Sequence, residues 1–562
     1  MLPCISSSGI QNPRKRRGLI CRLSDVGSVQ EFTKGKNLME AHFLKSTTRK
    51  RKELFFLAIC ILIGFVLRFY NFDQKSLWMD EIYTYNDSRD DLKGQIKFYR
   101  ESPTHLHPPL FFIVTHSFYP FPKPERDLRI IPLIFGILSI PMIYFLSKSF
   151  SPNIAIPCTL SLTFMTYHIS LSQEGRSYTM LMFFGMVALY FLLQHFRSSN
   201  KGYIGLVALT FSILFYTSYS SIPFLVFSQL FWFYHADEIH QKRSVSSFAI
   251  LNGLIGLLCI PWLIFVALNF KGQPIMDPIH TEGTGSFPVI LYRMFNDWAP
   301  QVPLMIASAV LLILFPVLAT SKRKSLILLA VLFLPVGGLY VFCKLFNITH
   351  FISSRYFITF FPIFLIILYL SIDSIEIKFE KIKGLVRLKM FFVVLFVACN
   401  LILLPLYYRS EKQNYKGLVA YLESNLQQGD KIFVGGVGNM PGILHYFGAY
   451  PEGRHHRIPY TKFSEREIEF KKPFISRDRV YTLYASTHCC SRYVADGSRL
   501  WIVVGEKNAR RLKKSSPYAL KGYFDGSFLN YVKFPSDASM YLFLWNPKSP
   551  EEKGIDMPIE EE

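Results

Sequence analysis

Long apolar stretches dominate this sequence and constrain its fold more than any other feature. A helix needs about 17–25 apolar residues to cross roughly 30 Å of hydrocarbon. The run 203–235 is too long for one helix, and its polar and proline positions at 218–223 divide it. Half of all residues are hydrophobic and only 18% are charged. The sequence therefore predicts a polytopic α-helical membrane protein with about eleven spans: 54–70, 128–147, 153–170, 178–195, 203–218, 221–235, 247–269, 303–319, 325–343, 356–372 and 388–407.

Basic residues fall in short runs between these stretches rather than on one soluble surface. The formal net charge is +22, but this distribution argues against nucleic acid as a partner. Cytoplasmic loops are enriched in Lys and Arg, and eleven spans with a cytoplasmic N-terminus place every basic cluster inside. The proline-rich stretch 108–121 is then predicted to lie along the membrane surface. The outer side holds residues 71–127, 171–177, 270–302, 344–355 and everything after 407.

Polar regions flank the membrane domain 54–407. Residues 1–53 carry 12 Lys and Arg against 4 Asp and Glu and are predicted to be a basic cytoplasmic tail without a signal peptide, with Met39 as an alternative start. Residues 408–550 are predicted to form a soluble α/β domain on the outer side, because a helical stretch at 415–426 precedes strand-like runs near 431, 479, 499 and 540. Residues 551–562 are an acidic tail.

Adjacent cysteines occur at Cys489 and Cys490, inside the predicted α/β domain. They lack the spacing of a zinc site, so a disulfide or simple packing is the interpretation. Five other cysteines lie in apolar spans, where they behave as small hydrophobic residues.

Two adjacent carboxylates, Asp80 and Glu81, follow the first predicted span in the outer loop 71–127. A pair of acids can divide chemical work, one as a general base and the other orienting an acceptor or a metal. The plain alternative is an acidic helix start exposed to solvent.

Further polar residues occur in the outer loops, at or near the predicted span ends. Histidines such as His105 and His107 can donate to phosphate, bind metal or merely end a helix. Glu174 and Arg176 can simply pair with each other, yet charges at membrane depth usually face a protein cavity. Arg355 suits a phosphate because its planar fork donates two hydrogen bonds, although an interfacial anchor beside Tyr356 is an equal alternative.

Five short elements in order resemble glycosyltransferase family 39, which includes dolichyl-phosphate-mannose protein mannosyltransferases and the bacterial lipid A aminoarabinose transferase. They are Trp78-x-Asp80-Glu81, His107-Pro108-Pro109-Leu110, Arg129-x-x-Pro132, Gln173-Glu174-x-Arg176-x-Tyr178 and Ser354-Arg355-Tyr356. The resemblance covers roughly residues 54–545 in organisation. It implies the GT-C membrane fold and inverting transfer of a sugar from a polyprenyl phosphate.

The resemblance also implies roles for individual residues. Asp80 would be the base and Glu81 would assist the acceptor or a metal, while Arg355, joined by Arg176, would hold the lipid phosphate. The loop 270–302 would cover the lipid entry side. Family members differ in metal dependence, so a divalent metal stays open and its ligands unassigned. The residues expected to bind substrate or lipid phosphate are His105, His107, Glu174, Arg176, Tyr178, His350, Arg355 and Tyr356.

The partners implied are a polyprenyl-phosphate-linked sugar, membrane lipid, and a glycolipid, polysaccharide or protein acceptor. The setting implied is a bacterial-type inner membrane with the C-terminal domain outside. Two other classes remain: a transporter or flippase of lipid-linked sugars, and an assembly component whose α/β domain binds a partner. Charged residues at the outer ends of spans, rather than in mid-span, favour chemistry at one surface.

Overall fold

The structure is a computed structural model of the full chain. It describes residues 51–101, 107–198, 200, 202–235, 241–270, 285–346, 352–379, 388–449, 462–464, 467–486, 497–514, 517–526, 538–549 and 553–556. His105, His350, Cys489, Cys490 and most of the predicted tails lie outside these ranges.

The chain divides into two compact units, residues 1–58 and 59–562. Of the first unit, residues 51–58 are described and are helical. The second unit contains everything considered below, beginning with helix α1 at residues 59–69. The predicted span 54–70 falls on these helical residues.

The helices of the second unit alternate between long apolar elements and short connecting ones. After α1 they are α2 Met79–Asp87, α3 Leu92–Glu101, α4 Leu110–His116, α5 Pro124–Asp127, α6 Ile130–Phe150, α7 Ala155–Phe164, α8 Thr166–Ser172, α9 Tyr178–Arg197, α10 Gly202–Thr217, α11 Ile222–Phe227, α12 Phe231–Tyr234, α13 Gln241–Asn269, α14 Phe287–Trp298, α15 Val302–Leu318, α16 Lys322–Leu345, α17 Phe361–Lys378, α18 Leu388–Arg409, α19 Tyr415–Asn425, α20 Met440–Tyr446 and α21 Glu506–Lys513.

Fewer helices than the predicted eleven have the length and composition of a membrane span. Within the described ranges six qualify, and up to eight if each of two bent helix pairs is one span. The bent pairs are Pro152–Phe164 with Thr166–Ser172, at 60°, and Phe287–Trp298 with Val302–Leu318, at 111°. The structure therefore supports a helical membrane protein, while the count of eleven goes beyond what it shows.

The second half of the run 203–235 and the surface stretch 108–121 both lack a long continuous helix. The predicted division of 203–235 is observed, because α10 ends at Thr217 and Ser218 accepts a hydrogen bond from the backbone N–H of Ser220. The second half, however, is a series of short α and 3₁₀ segments between Tyr219 and Tyr234 rather than one long helix. In the surface stretch 108–121 only the seven residues of α4 are α-helical, too few to cross a membrane.

The break between α7 and α8 is stabilised by polar side chains from distant helices. The guanidinium of Arg68, fully buried, donates to the carbonyls of Leu162 and Thr163 at the end of α7. It also lies 2.8 Å from Nδ1 of His168. The side chain of Asn400 accepts from the N–H of Thr166 at the start of α8. These groups satisfy the backbone atoms that the break exposes, which apolar surroundings require.

A seven-stranded mixed sheet follows the last apolar helix. Its strand order is β2-β3-β4-β1-β5-β7-β6. The central strand β1 is parallel to β4 and β5, and the other pairs are antiparallel. The strands are β1 Lys431–Gly435, β2 Lys462–Ser464, β3 Glu467–Ser476, β4 Arg479–Ser486, β5 Leu500–Val504, β6 Ala519–Phe524 and β7 Met540–Trp545. All four predicted strand-like runs are strands, and β2, β3 and β6 are additions.

One face of the sheet shares its core with the loop that carries the acid pair. Alternate strand residues such as Ile432 and Val434 pack with α19 and α20, whereas Phe433 faces the opposite cluster with α21. The first cluster also includes Leu77, Ile82, Phe121 and Leu128 from the first outer loop and the start of α6. A shared core means that sheet and loop stabilise each other.

His445 lies at this contact between the sheet region and the first outer loop. Its burial predicts that the stability of the folded protein decreases in acid. Its ring packs edge-on against Tyr85 of α2, with centroids 4.8 Å apart. Burial lowers the pKa of His445 to about 4. The unfolded chain therefore binds a proton first as pH falls below about 6.5, and stability is lost between that value and pH 4. We expect the apparent melting temperature in detergent to fall between pH 7 and pH 5.

The matched variant is His445→Phe, which keeps an aromatic ring against Tyr85 but cannot titrate. Its melting temperature should vary less with pH over the same interval. An equal pH dependence in both proteins would show that His445 is not responsible.

Candidate active site

The segment before α2 is held in place through the backbone N–H groups of three residues. The N–H of Ser76 donates to Oε2 of Glu411 at 3.2 Å, and the N–H of Leu77 donates to the hydroxyl of Tyr446 at 2.8 Å. The N–H of Met79 donates to Oε1 of Gln413 at 2.9 Å. All three acceptors belong to the chain after the last apolar helix. The C-terminal part of the chain therefore fixes the position of the acid pair.

Glu81 is the centre of a buried ion pair. Both of its oxygens accept from Arg129, from Nε and Nη2, at 2.7 Å each. Its carboxylate also accepts from the N–H of Gly175 at 2.6 Å and from the N–H of Trp78 at 3.2 Å. The side chain of Glu81 is 1% exposed. Four donors around one buried carboxylate leave it no role as a proton acceptor for a substrate.

Arg129 uses its remaining N–H groups on the same segment. It donates to the carbonyls of Phe72, Lys75 and Ser76 at 3.0–3.1 Å. With both bonds to Glu81, all five of its donors are engaged. The pair thus connects the first loop, the start of α6 and the loop at Gly175.

Gly175 suits this close approach because it has no side chain. A Cβ at that position would lie 3.1 Å from Cβ of Leu128 and 3.3 Å from Oε1 of Glu81. Any other residue would therefore push against the carboxylate that its own N–H contacts.

Asp80 differs from its neighbour in exposure and partners. Its side chain is 20% exposed, and Oδ2 lies 3.6 Å from Nη1 of Arg355. The guanidinium of Arg176 contacts the backbone carbonyl of Asp80, at 3.3 Å, and the hydroxyl of Thr84 at 3.0 Å. The carboxylate of Asp80 is thus accessible beside a cation, whereas Arg176 fixes the first turns of α2.

Arg355 lies at the centre of an aromatic and acidic environment. Its guanidinium is 5.2 Å from the ring of Trp78, 5.7 Å from Tyr178 and 5.9 Å from Tyr356. Glu174 approaches it at 4.0 Å. The neighbouring Ser354 donates to Asp297 of α14 and contacts the hydroxyl of Tyr167. Residues of the first and second outer loops therefore converge on this arginine, and its neighbour Ser354 is held by α8 and α14.

Lys412 is a site residue that the sequence alone does not reveal. Its Nζ lies 3.0 Å from Oε1 of Glu174 and 3.4 Å from the ring centroid of Trp78. It follows the last apolar helix by three residues, where a lysine is typical of an interfacial anchor. Its sequence neighbours Glu411 and Gln413 carry no motif either, so no signal in the sequence distinguishes it.

A cavity of about 30 Å³ lies beneath these groups. Among its lining residues are Lys412, Glu174, Trp78 and Lys75. Nζ of Lys75 donates to the carbonyl of Tyr407, and burial lowers the pKa of Lys75 to about 7. Glu81 and Tyr407 also line it, so the cavity lies between one acid of the pair and the end of the last apolar helix.

The structure brings most of the predicted site residues together. Asp80, Glu81, Glu174, Arg176 and Arg355 belong to one connected group, with Tyr178 and Tyr356 around the arginine. His107 is exposed and packs near Phe112, with ring centroids 6.4 Å apart. This contact does not place it in the group. Within the described part of the chain, no three His, Cys, Asp or Glu side chains are arranged to hold a metal.

The chain is similar to known proteins over part of its sequence and most of its fold. Residues 106–265 match the family described as dolichyl-phosphate-mannose-protein mannosyltransferase. No curated protein matches the chain significantly. The crystal structure of ArnT from Cupriavidus metallidurans in the apo state matches with a TM-score of 0.50 at 11% identity, covering 88% of this chain and 98% of that one.

Two further structures match less well. ArnT from Cupriavidus metallidurans bound to undecaprenyl phosphate has a TM-score of 0.47 at 11% identity, covering 87% of this chain and 97% of that one. The Pmt1-Pmt2 protein O-mannosyltransferase complex of S. cerevisiae bound to the sugar donor has a TM-score of 0.31 at 15% identity, covering 44% of this chain and 36% of that one.

The fold and the family match define the class of this protein: it is an integral membrane glycosyltransferase with the GT-C fold. The resemblance to glycosyltransferase family 39 that the sequence motifs predict is confirmed.

Because Glu81 and Arg129 form a buried ion pair, we expect Glu81→Ala to lower the free energy of unfolding strongly. The change would leave the Arg129 guanidinium buried without its carboxylate, which typically costs about 3–5 kcal/mol. We expect a clear drop in melting temperature and in the yield of folded protein. The control is Arg477→Ala, which removes an exposed guanidinium paired with Glu423 at 3.2 Å and should cost about 1 kcal/mol or less. Equal stability of both variants would contradict the structural role of Glu81.

Proposed function

We propose that this protein transfers a sugar from a polyprenyl-phosphate donor to an acceptor at the outer face of the membrane. The observation that carries the proposal is the pairing of an accessible carboxylate, Asp80, with a buried cation, Arg355, at 3.6 Å. A glycosyl transfer needs both a base for the acceptor and a positive charge for the leaving phosphate. The matched family supports a lipid-linked donor, since its description names dolichyl-phosphate-mannose.

The proposed reaction is a single inverting displacement. The carboxylate of Asp80 accepts the proton of the acceptor O–H or N–H as the acceptor atom attacks C1 of the sugar. The bond between C1 and the phosphate oxygen breaks, and its electron pair remains on that oxygen. The donor phosphodiester carries one negative charge and the released lipid phosphate carries two. The extra charge is the one that the cations must stabilise.

The two acids of the pair have different roles in this proposal. Asp80 is the base because its carboxylate is accessible. Glu81, predicted to assist the acceptor or a metal, is reassigned as a positioning residue because four donors already occupy its oxygens. Arg176 also positions α2, because its Nη1 contacts the carbonyl of Asp80 and the hydroxyl of Thr84, and it stays a proposed phosphate ligand beside Arg355.

The orientation and the acceptor also belong to this proposal. The distribution of Lys and Arg supports a cytoplasmic N-terminus in a bacterial-type inner membrane, with the sheet on the outer side. A glycolipid, a polysaccharide or a protein could serve as acceptor, because sugar and acceptor selectivity depend on pocket shape and a few hydrogen bonds. Lipid and glycan analysis of a deletion strain would identify the missing sugar and its attachment point.

Asp80→Asn should abolish sugar transfer without affecting folding. The amide cannot accept the acceptor proton, and losing a general base typically lowers the rate about 10²–10⁴-fold. The measurement is product formation in membranes with the donor identified in the deletion strain, normalised to protein abundance. Asp73→Asn, in the same loop, is the control and should retain activity. Normal transfer by Asp80→Asn would reject Asp80 as the base.

Arg355→Ala should weaken binding of the lipid donor. Its guanidinium is the buried cation that pairs with the carboxylate of Asp80, and a lost charged hydrogen bond costs about 1.5–3 kcal/mol. We expect donor affinity to fall at least tenfold in a titration with purified protein. Arg477→Ala, which removes an exposed guanidinium from the sheet, serves as the control. Unchanged donor affinity in Arg355→Ala would count against the phosphate role.

A flippase of lipid-linked sugars is the rival function, and the same variants separate the two. A flippase would move donor across vesicle membranes without forming product, and Asp80→Asn would affect movement rather than transfer. Product formation that depends on Asp80 would exclude the rival for this site.

A further inference from the structure

We propose that Lys412 is a second ligand of the donor phosphate, so that the chain after the last apolar helix supplies a catalytic residue. This inference rests on the proposed function and adds a residue to its site. The ammonium group of Lys412 and the guanidinium of Arg355 share one carboxylate, that of Glu174, at 3.0 Å and 4.0 Å. Both cations therefore lie on the same carboxylate, and Arg355 is in addition 3.6 Å from the carboxylate of Asp80.

The side chains on both sides of Lys412 fix its position. Glu411 accepts from the N–H of Ser76, and Gln413 accepts from the N–H of Met79. Lys412 lies between these two anchors, directly over the ring of Trp78. Trp78 is the N-cap residue of α2 and immediately precedes Met79 and Asp80. A shift of Lys412 relative to the proposed base Asp80 would thus require breaking the hydrogen bonds that Glu411 and Gln413 accept from Ser76 and Met79.

The chemistry of a lysine suits this position. Its ammonium is a compact charge on a flexible stem, so it can exchange one anionic oxygen for another. In the transfer reaction the leaving phosphate gains a second negative charge, which is more than one arginine can match. We infer that a phosphate oxygen replaces Glu174 as the partner of Lys412, while Arg355 binds a second oxygen. The proton from the acceptor remains on Asp80.

A purely structural ion pair is the simpler alternative. Taking a lysine out of water is costly, and a buried ion pair is weak support for stability, since apolar residues often pack as well. Burial also lowers the pKa of Lys412, which is outside the apolar helices. A charge kept at such a cost next to a proposed base favours a chemical role. The charged groups that surround it are Lys75, Asp80, Glu174, Asp297 and Arg355.

The experiment compares Lys412→Gln, Lys412→Arg and Lys416→Gln. Lys416 is on the same segment but is 56% exposed and pairs with Glu125 at 3.7 Å, so it is the matched control. Two quantities are measured on folded, purified protein: the affinity for farnesyl phosphate as a lipid-phosphate probe, and the kinetic constants for transfer with the donor from the deletion strain.

We expect Lys412→Gln to bind farnesyl phosphate at least fivefold more weakly and to lose at least tenfold in kcat. Lys412→Arg should recover part of both, because it restores the charge, and Lys416→Gln should match the wild type. Because burial lowers the pKa of Lys412, wild-type activity should decline on the alkaline side as this charge is lost. Lys412→Arg should move that decline to higher pH.

The result that overturns the proposal is unchanged probe affinity and unchanged kcat in Lys412→Gln, whatever its melting temperature. An arginine variant that is as impaired as the glutamine variant, with no movement of the alkaline limit, would also overturn it. Failure of the proposed function is distinguishable: the wild-type protein would then form no product, while the farnesyl phosphate titration would still test Lys412.

Discussion

The buried pair of Glu81 and Arg129 is the interaction on which the site depends. Arg129 binds the carboxylate with two donors and the carbonyls of the preceding segment with the others, so one side chain sets the path of the chain into α2. Glu81 in turn binds the N–H of Gly175 and so brings the second outer loop to the first. The two acids of the motif thus separate into one that organises the site and one that faces it. Adjacent residues on a helix point in different directions, about 100° apart, which makes this division possible.

The sheet is part of the same structure rather than an appended module. Its inner face shares a hydrophobic cluster with Leu77, Ile82, Phe121 and Leu128, and polar groups of Glu411, Gln413 and Tyr446 bind the backbone that leads into α2. Apolar burial supplies most of the binding between the two layers, while the hydrogen bonds fix their register. The C-terminal region therefore has a direct structural role, because it positions the acid pair.

Much of this can be predicted from the sequence, and the rest cannot for identifiable reasons. Apolar stretches of span length, the strand-like runs from 431 onward and the order of five short motifs are local patterns, and they lead to the helical membrane fold and the family. The break at Met165 escapes prediction because it depends on Arg68 and Asn400, which are distant in sequence. Lys412 escapes prediction because only the fold brings it to Trp78 and Glu174. The role of Glu81 depends on how many hydrogen-bond donors surround its carboxylate, and a short sequence motif does not show which donors the fold brings there.

The contacts made by residues 411–413 have a consequence for how the protein is synthesised. The acid pair leaves the ribosome early and the segment that fixes it leaves more than 300 residues later, since residues 80 and 412 are that far apart. Until the last apolar helix has been inserted, Ser76 and Met79 lack these partners and Lys412 is not yet beside Trp78. A partly made chain therefore holds Asp80 without the framework around it. Assembly of the site is therefore tied to completion of the membrane domain.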